Sequence, residues 1–109
     1  MFRPLPVLLT LLVLSACGGS ESTEQYIQQA TDAMAASEYP AATIELKNAL
    51  RQDPNSAQAR WLLGKVYLDT GDVLSAGKEL KQALDLGWPP DDVQPARAQA
   101  LFAQDEFDA

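Results

Sequence analysis

Apolar and small residues recur along this chain, from Thr23 onward, at the three- and four-residue spacing of amphipathic helices. Short stretches rich in Gly, Pro, Asn and Asp separate these segments and are typical of helix ends. The pattern therefore predicts an all-α fold with five helices. They are expected at residues 23–36, 40–52, 56–69, 73–86 and 92–104.

The residues that flank these segments are those that start and stop helices. Ser and Asp side chains accept hydrogen bonds from the free N–H groups of a first turn, and Pro is tolerated there. Gly and Pro mark helix ends. The expected start signals are a Ser22–Gln25 capping box, Pro40, Ser56, Asp72, and Asp91 or Asp92; the stop signals are Asp53–Pro54, Gly71 and Gly87–Pro90.

The helical pattern repeats with a period of 34 residues. Residues 23–56 align with residues 57–90 without gaps, and small and large positions coincide. The register continues into residues 91–109, which would supply the first helix of a third unit. Small residues let the two helices of a unit approach closely, so we expect Gly64 to face Ala76.

One residue set in the second unit is characteristic: Trp61, Leu62, Gly64, Tyr67, Gly71, Asp72, Ala76, Leu80, Ala83 and Leu84. This set resembles the tetratricopeptide repeat (TPR). The first unit is a weaker copy, with Gln29 where Leu is usual and Ser37 where Gly is usual. The resemblance implies a helical-hairpin array, a right-handed α-solenoid of about two and a half repeats, at 23–56, 57–90 and in part 91–109. Another kind of helical-hairpin repeat is the alternative.

The N-terminus has the pattern of a bacterial lipoprotein signal peptide. Arg3 precedes an apolar run that ends in Leu14-Ser15-Ala16-Cys17, and this run is about half as long as a membrane-spanning helix requires. We expect residues 1–16 to be the signal peptide, Cys17 to be lipid-modified, and residues 17–22 to form a tether. An ordinary signal peptide with an incidental cysteine is the alternative.

Composition excludes several kinds of chemistry. The chain has no histidine and one cysteine, which removes Ser-His-Asp and Cys-His catalysis, histidine metal sites and disulfides. Its net charge is −7, and all acidic residues follow Cys17, so nucleic acid is not an expected partner. We therefore expect no enzyme activity, no cofactor and no metal.

A narrower resemblance extends over essentially the whole chain after the apolar run. The segments 44–55, 59–65 and 77–91, above all the junction Leu86-Gly87-Trp88-Pro89-Pro90-Asp91, are similar to the N-terminal region of one lipoprotein family. That family is the TPR lipoprotein of the exosortase/PEP-CTERM sorting and exopolysaccharide systems of Gram-negative bacteria. Its members have many more repeats than this chain, so the resemblance is to an N-terminal region or a short form.

By the repeat geometry of the TPR family, the first helix of each pair would line a concave, partner-binding face. Trp61 and Phe102 are the expected anchors, because aromatic residues dominate binding hot spots. The alternative is that these aromatic side chains pack between adjacent helices. The candidate partner-binding residues are Ile27, Met34, Gln58, Trp61, Lys65, Leu68 and Phe102.

The fifth predicted helix has a polar residue at a position that is apolar in the second repeat. Arg97 corresponds to Leu63, which suits a face in contact with water. On this basis residues 92–104 would be a solvating cap of the array. Leu101, Phe102 and Phe107 favour the competing interpretation, a fragment with an orphaned apolar edge.

These expectations define a lipoprotein that would be anchored in the outer membrane through Cys17, because Gly18 rather than Asp follows it, and would face the periplasm. Its function would be protein–protein scaffolding of other envelope proteins, in an exosortase-linked exopolysaccharide or envelope system. The second hypothesis is an accessory lipoprotein for pilus or secretin assembly. A glycan-cleaving enzyme is a third class, and no carboxylate spacing supports it.

Overall fold

A computed structural model of the protein describes residues 21–108, with side chains to residue 106. These residues form five α-helices and no strand, as the sequence predicts: α1 (Thr23–Ala35), α2 (Tyr39–Gln52), α3 (Ala57–Thr70), α4 (Val73–Asp85) and α5 (Pro90–Asp108). The first four begin and end within one residue of their expected bounds. The predicted signal peptide and Cys17 lie outside the described residues.

Each helix packs mainly against its neighbours in sequence. The helices α1 and α2 form one hairpin, α3 and α4 form the second, and α5 packs against α4. A smaller contact between α1 and α3, and another between α3 and α5, joins the first helices of successive units. This is the arrangement of a helical-hairpin array, in which each unit buries its apolar face against the next.

The expected caps are present at three helix starts. Ser22 and Gln25 form a complete capping box at α1. The Ser56 hydroxyl accepts the N–H of Ala59 at α3, and the Asp72 carboxylate accepts the N–H of Ser75 at α4. These bonds satisfy N–H groups that the helices themselves leave free.

The two hairpins turn at equivalent positions with different residues. Gly71 ends α3 with φ +83°, a left-handed conformation that costs glycine little. The equivalent residue after α1 is Ser37, which has φ +57°. A residue with a Cβ is strained by about 1–2 kcal/mol in this region, so the first hairpin turns at an energetic cost that the second avoids.

The helices α3 and α4 approach each other closely at Gly64. A Cβ atom placed on Gly64 would lie 2.7 Å from Leu80 Cγ and Cδ2, well inside van der Waals contact. The nearest atoms therefore belong to Leu80, one turn beyond the expected Ala76, which is itself fully buried. The crossing of the two helices places the Leu80 side chain, rather than the Ala76 methyl group, over the glycine.

The apolar core has two clusters. The first cluster joins α1, α2 and α3, and its members are Ile27, Ala30, Ala33, Ala42, Leu46, Ala49, Ala59, Leu63 and Val66. The second cluster joins α4 and α5 through Leu80, Val93 and Ala96, with Trp61, Leu68, Leu84 and Trp88 packed around it.

The helix α5 is longer than predicted at both ends. It begins at Pro90, so Asp91 and Asp92 lie in its first turn and the expectation that one of them caps it is wrong. Proline is tolerated at a first helical position because its missing N–H would be unbonded there. At the other end, Asp105 occupies the position of Gly71, and without a left-handed glycine the helix continues to Asp108.

Candidate protein-binding surface

Three of the predicted partner-binding residues take part in the core. Ile27 is only 5% exposed and belongs to the first cluster. Met34 packs against the same cluster, and Leu68 packs against the second. Their side chains stabilise the packing of the helices; Ile27 has almost no exposed surface, whereas Met34 and Leu68 are half-buried.

Trp61 lies at the boundary between core and surface. Its half-buried ring packs against the second cluster and stacks on Trp88, with ring centroids 6.3 Å apart and an angle of 21° between the planes. Stacked pairs of this kind contribute about 0.5–1.5 kcal/mol beyond the burial of their area. The structure thus gives Trp61 a packing role between the second repeat and the junction that follows it.

The exposed part of this region is formed by Lys65 and, further along, Phe102. Lys65 Nζ lies 5.3 Å from the Trp61 ring centroid, a cation–π geometry one helical turn away on α3. Gln58 is half-buried at the start of the same helix. The Phe102 side chain is 69% exposed on α5, so it is the most accessible aromatic group among the predicted residues.

Trp88 is a member of this site that the sequence prediction missed. It follows the left-handed Gly87 and precedes Pro89 in the junction between α4 and α5. Its indole Nε1 is buried and has no hydrogen-bond partner among the described atoms. The signal in the sequence was the aromatic residue of the Gly-Trp-Pro-Pro junction, which is fixed between two helix ends and must pack on one of them.

The groove between α2 and α3 is bordered by α4, which supplies Glu79; we call it the closed groove. The main polar contact there joins the Glu79 carboxylate of α4 to Arg60 of α3 at 2.9 Å, with both side chains largely buried. The same region is lined by Lys47, Leu50, Leu63 and Tyr67. A buried carboxylate is tolerated here because the guanidinium group lies within hydrogen-bond distance.

The groove between α4 and α5 is the equivalent feature one repeat later, and no described residue covers it; we call it the open groove. Its floor is apolar and its rim is basic. The lining residues are Val73, Leu74, Gly77, Lys78, Lys81, Arg97, Ala100, Leu101 and Gln104. The polar residue Arg97 is half-buried at the rim, while Leu101 and Phe102 remain exposed, so this edge combines features of a solvating cap and of an apolar edge.

The described residues contain no cluster of acidic, histidine or cysteine side chains that could hold a metal ion. Within the same part of the chain, no helix is both long enough and apolar enough to cross a membrane.

The paired helices, the glycine contact and the exposed first-helix surface define a helical-hairpin repeat protein. Comparison with known families matched residues 27–90, more than half of the chain, to the tetratricopeptide repeat. The chain therefore belongs to the TPR family, whose repeats generally bind protein partners and act as non-catalytic scaffolds. No curated protein and no solved structure matched the chain.

Proposed function

We propose that this protein is a lipid-anchored TPR scaffold that faces the periplasm and assembles other envelope proteins in an exosortase/PEP-CTERM-linked exopolysaccharide system. The TPR fold supports the scaffold function. The Leu14–Cys17 motif supports the anchor, and the Leu-Gly-Trp-Pro-Pro-Asp junction supports the link to the exosortase system.

The observation that most supports partner binding is the exposure of Phe102 and Lys65 on first helices of the array. Phe102 exposes 69% of its surface to water, and Lys65 offers a charge beside the Trp61 ring. Exposed aromatic and cationic side chains on successive first helices suit a peptide segment with apolar and acidic residues.

Lipid labelling tests the anchor. Three acyl chains, each burying many methylene groups at about 0.8 kcal/mol apiece, would hold the protein firmly in a membrane. Wild-type protein should incorporate labelled palmitate and fractionate with outer membranes, and Cys17→Ser should do neither. Soluble wild-type protein without label would contradict the anchor.

Capture of partners from envelope extract tests the surface. Phe102→Ala and Lys65→Glu should reduce capture at least tenfold while the melting temperature stays unchanged, because both side chains are exposed. Trp61→Ala should instead lower the melting temperature, since its ring packs on the second cluster. Ile44→Ala, at an exposed residue of α2, is the matched control. Unchanged capture by Phe102→Ala and Lys65→Glu would contradict this surface.

The alternative function is an accessory role in pilus or secretin assembly, because such lipoproteins also combine a lipid anchor with TPRs. The genes beside the coding sequence distinguish the two systems. Exosortase and polysaccharide genes support the first, whereas pilus or secretin genes support the second.

A further inference from the structure

The open groove and the closed groove occupy equivalent places in successive repeats. Both are formed by the second helix of one unit and the first helix of the next. Three lining positions coincide by the 34-residue period, since Lys81, Arg97 and Leu101 correspond to Lys47, Leu63 and Tyr67. At the closed groove α4 packs along α3 and contributes small, leucine and acidic side chains, among them Ala76, Leu80 and Glu79. At the open groove the equivalent place, along α5, is not filled by any described residue.

The chemistry of the open groove specifies its occupant further. Leu74 is 65% exposed and Leu101 is 58% exposed, so an incoming helix would bury apolar surface. The basic residues that line the groove beside these leucines are Lys78, Lys81 and Arg97. Lys81 bonds Asp85 on its own helix, whereas no carboxylate among the described side chains lies within ion-pair distance of Arg97. The groove thus favours an apolar helix with acidic residues.

We propose that the open groove binds α5 of a second copy of this chain, in a symmetric antiparallel dimer. The exposed end of α5 has the required chemistry, because Leu101 and Phe102 precede the exposed acidic pair Asp105 and Glu106. In a two-fold interface the same residues appear on both sides, so one helix must be complementary to the groove that it helps to form.

The antiparallel register makes this complementarity specific. When two copies of α5 cross near Leu101, a residue four positions after it in one copy faces the residue four positions before it in the other. Asp105 of each copy then lies opposite Arg97 of its partner, and the dimer gains two ion pairs. The two Leu101 side chains meet at the axis, between Leu74 of each copy.

The experiment measures the mass of the full 109-residue chain by sedimentation equilibrium in a mild nonionic detergent. A contact formed mainly by one helix of each copy falls at the small end of specific interfaces, so we expect a dissociation constant in the micromolar range. Leu101→Ser should raise this constant at least tenfold. Ile44→Ser is the matched control, because Ile44 is 59% exposed on α2 and should leave the dimer intact.

Charge reversal tests the register. Arg97→Asp and Asp105→Arg should each raise the dissociation constant at least tenfold, because both place like charges opposite each other. The double variant should restore it to within about threefold of wild type. Lys47→Asp on α2 is the charge control, and circular dichroism confirms that each variant remains helical. The proposal would be overturned if the wild-type chain stayed monomeric up to millimolar concentrations. It would also be overturned if the double variant dimerised as weakly as the single variants.

Discussion

The closed and open grooves show how similar backbone frameworks become different surfaces through a few side chains. In the closed groove Leu63 is buried and Tyr67 is partly buried in the first cluster. The equivalent residues of the open groove are Arg97 at the rim and Leu101, which is largely exposed. Helix packing in this array therefore depends on the residue at each repeat position and on whether a second helix covers it.

The largest effect on stability should come from introducing an arginine into the closed groove at Leu63, the position equivalent to Arg97. Leu63→Arg puts a charge among apolar side chains, and we expect it to lower the free energy of unfolding by about 3–5 kcal/mol, enough to unfold most of the protein. The reverse change, Arg97→Leu, should alter it by less than about 0.5 kcal/mol. Urea denaturation followed by circular dichroism measures both. Equal effects would mean that the two grooves do not differ in burial.

A smaller effect on stability is expected where α4 packs against α3. Ala76 is fully buried, so Ala76→Leu should lower the free energy of unfolding by about 1–3 kcal/mol through overcrowding. For a domain of this size the melting temperature should fall on the order of 10 °C. Ser75→Leu adds the same bulk at a half-buried neighbouring position and should cost much less. Equal melting temperatures would contradict the register of α4.

The smallest effect concerns the ion pair of the closed groove. Glu79→Gln removes the charge opposite Arg60 and should lower the free energy of unfolding by about 1 kcal/mol, because the pair is largely shielded from water. The equivalent residue of the first repeat is Glu45, which makes no ion pair among the described residues, since Tyr26 stands at the position of Arg60. Glu45→Gln should therefore be nearly neutral. A loss of the same size in both variants would show that the ion pair contributes nothing specific.

The spacing of apolar residues was sufficient to predict the helices, and the residue set of the second unit carried the resemblance to the family. Helical spacing, the serine caps and Gly71 each act within a few residues, so the sequence pattern determines them directly. The bounds of α5 were harder to predict from the sequence. Its start depended on whether Pro90 ends a turn or begins a helix, and its end depended on the absence of a glycine at position 105.

The candidate site was harder to predict, because burial within a helix hairpin depends on the angle at which the helices cross. The family geometry placed Ile27 and Phe102 on the same face, yet Ile27 is buried and Phe102 is exposed. The difference arises because α2 and α3 pack around α1, whereas one side of α5 has no described neighbour. The stacking of Trp61 on Trp88 joins residues 27 positions apart, which a 34-residue alignment does not bring together.

The left-handed Ser37 has a consequence for how the array opens. In a linear array each unit is stabilised by itself and by its neighbours, so opening starts at an end and where the local free energy is lowest. Among the described residues the first unit has no unit before it, and it includes a strained serine where the second has glycine. Amide hydrogens of α1 should therefore exchange with solvent faster than those of α3. Under a pulling force directed through the N-terminal segment, the first hairpin would unfold before the second. Its extension would lower the force that reaches the second hairpin.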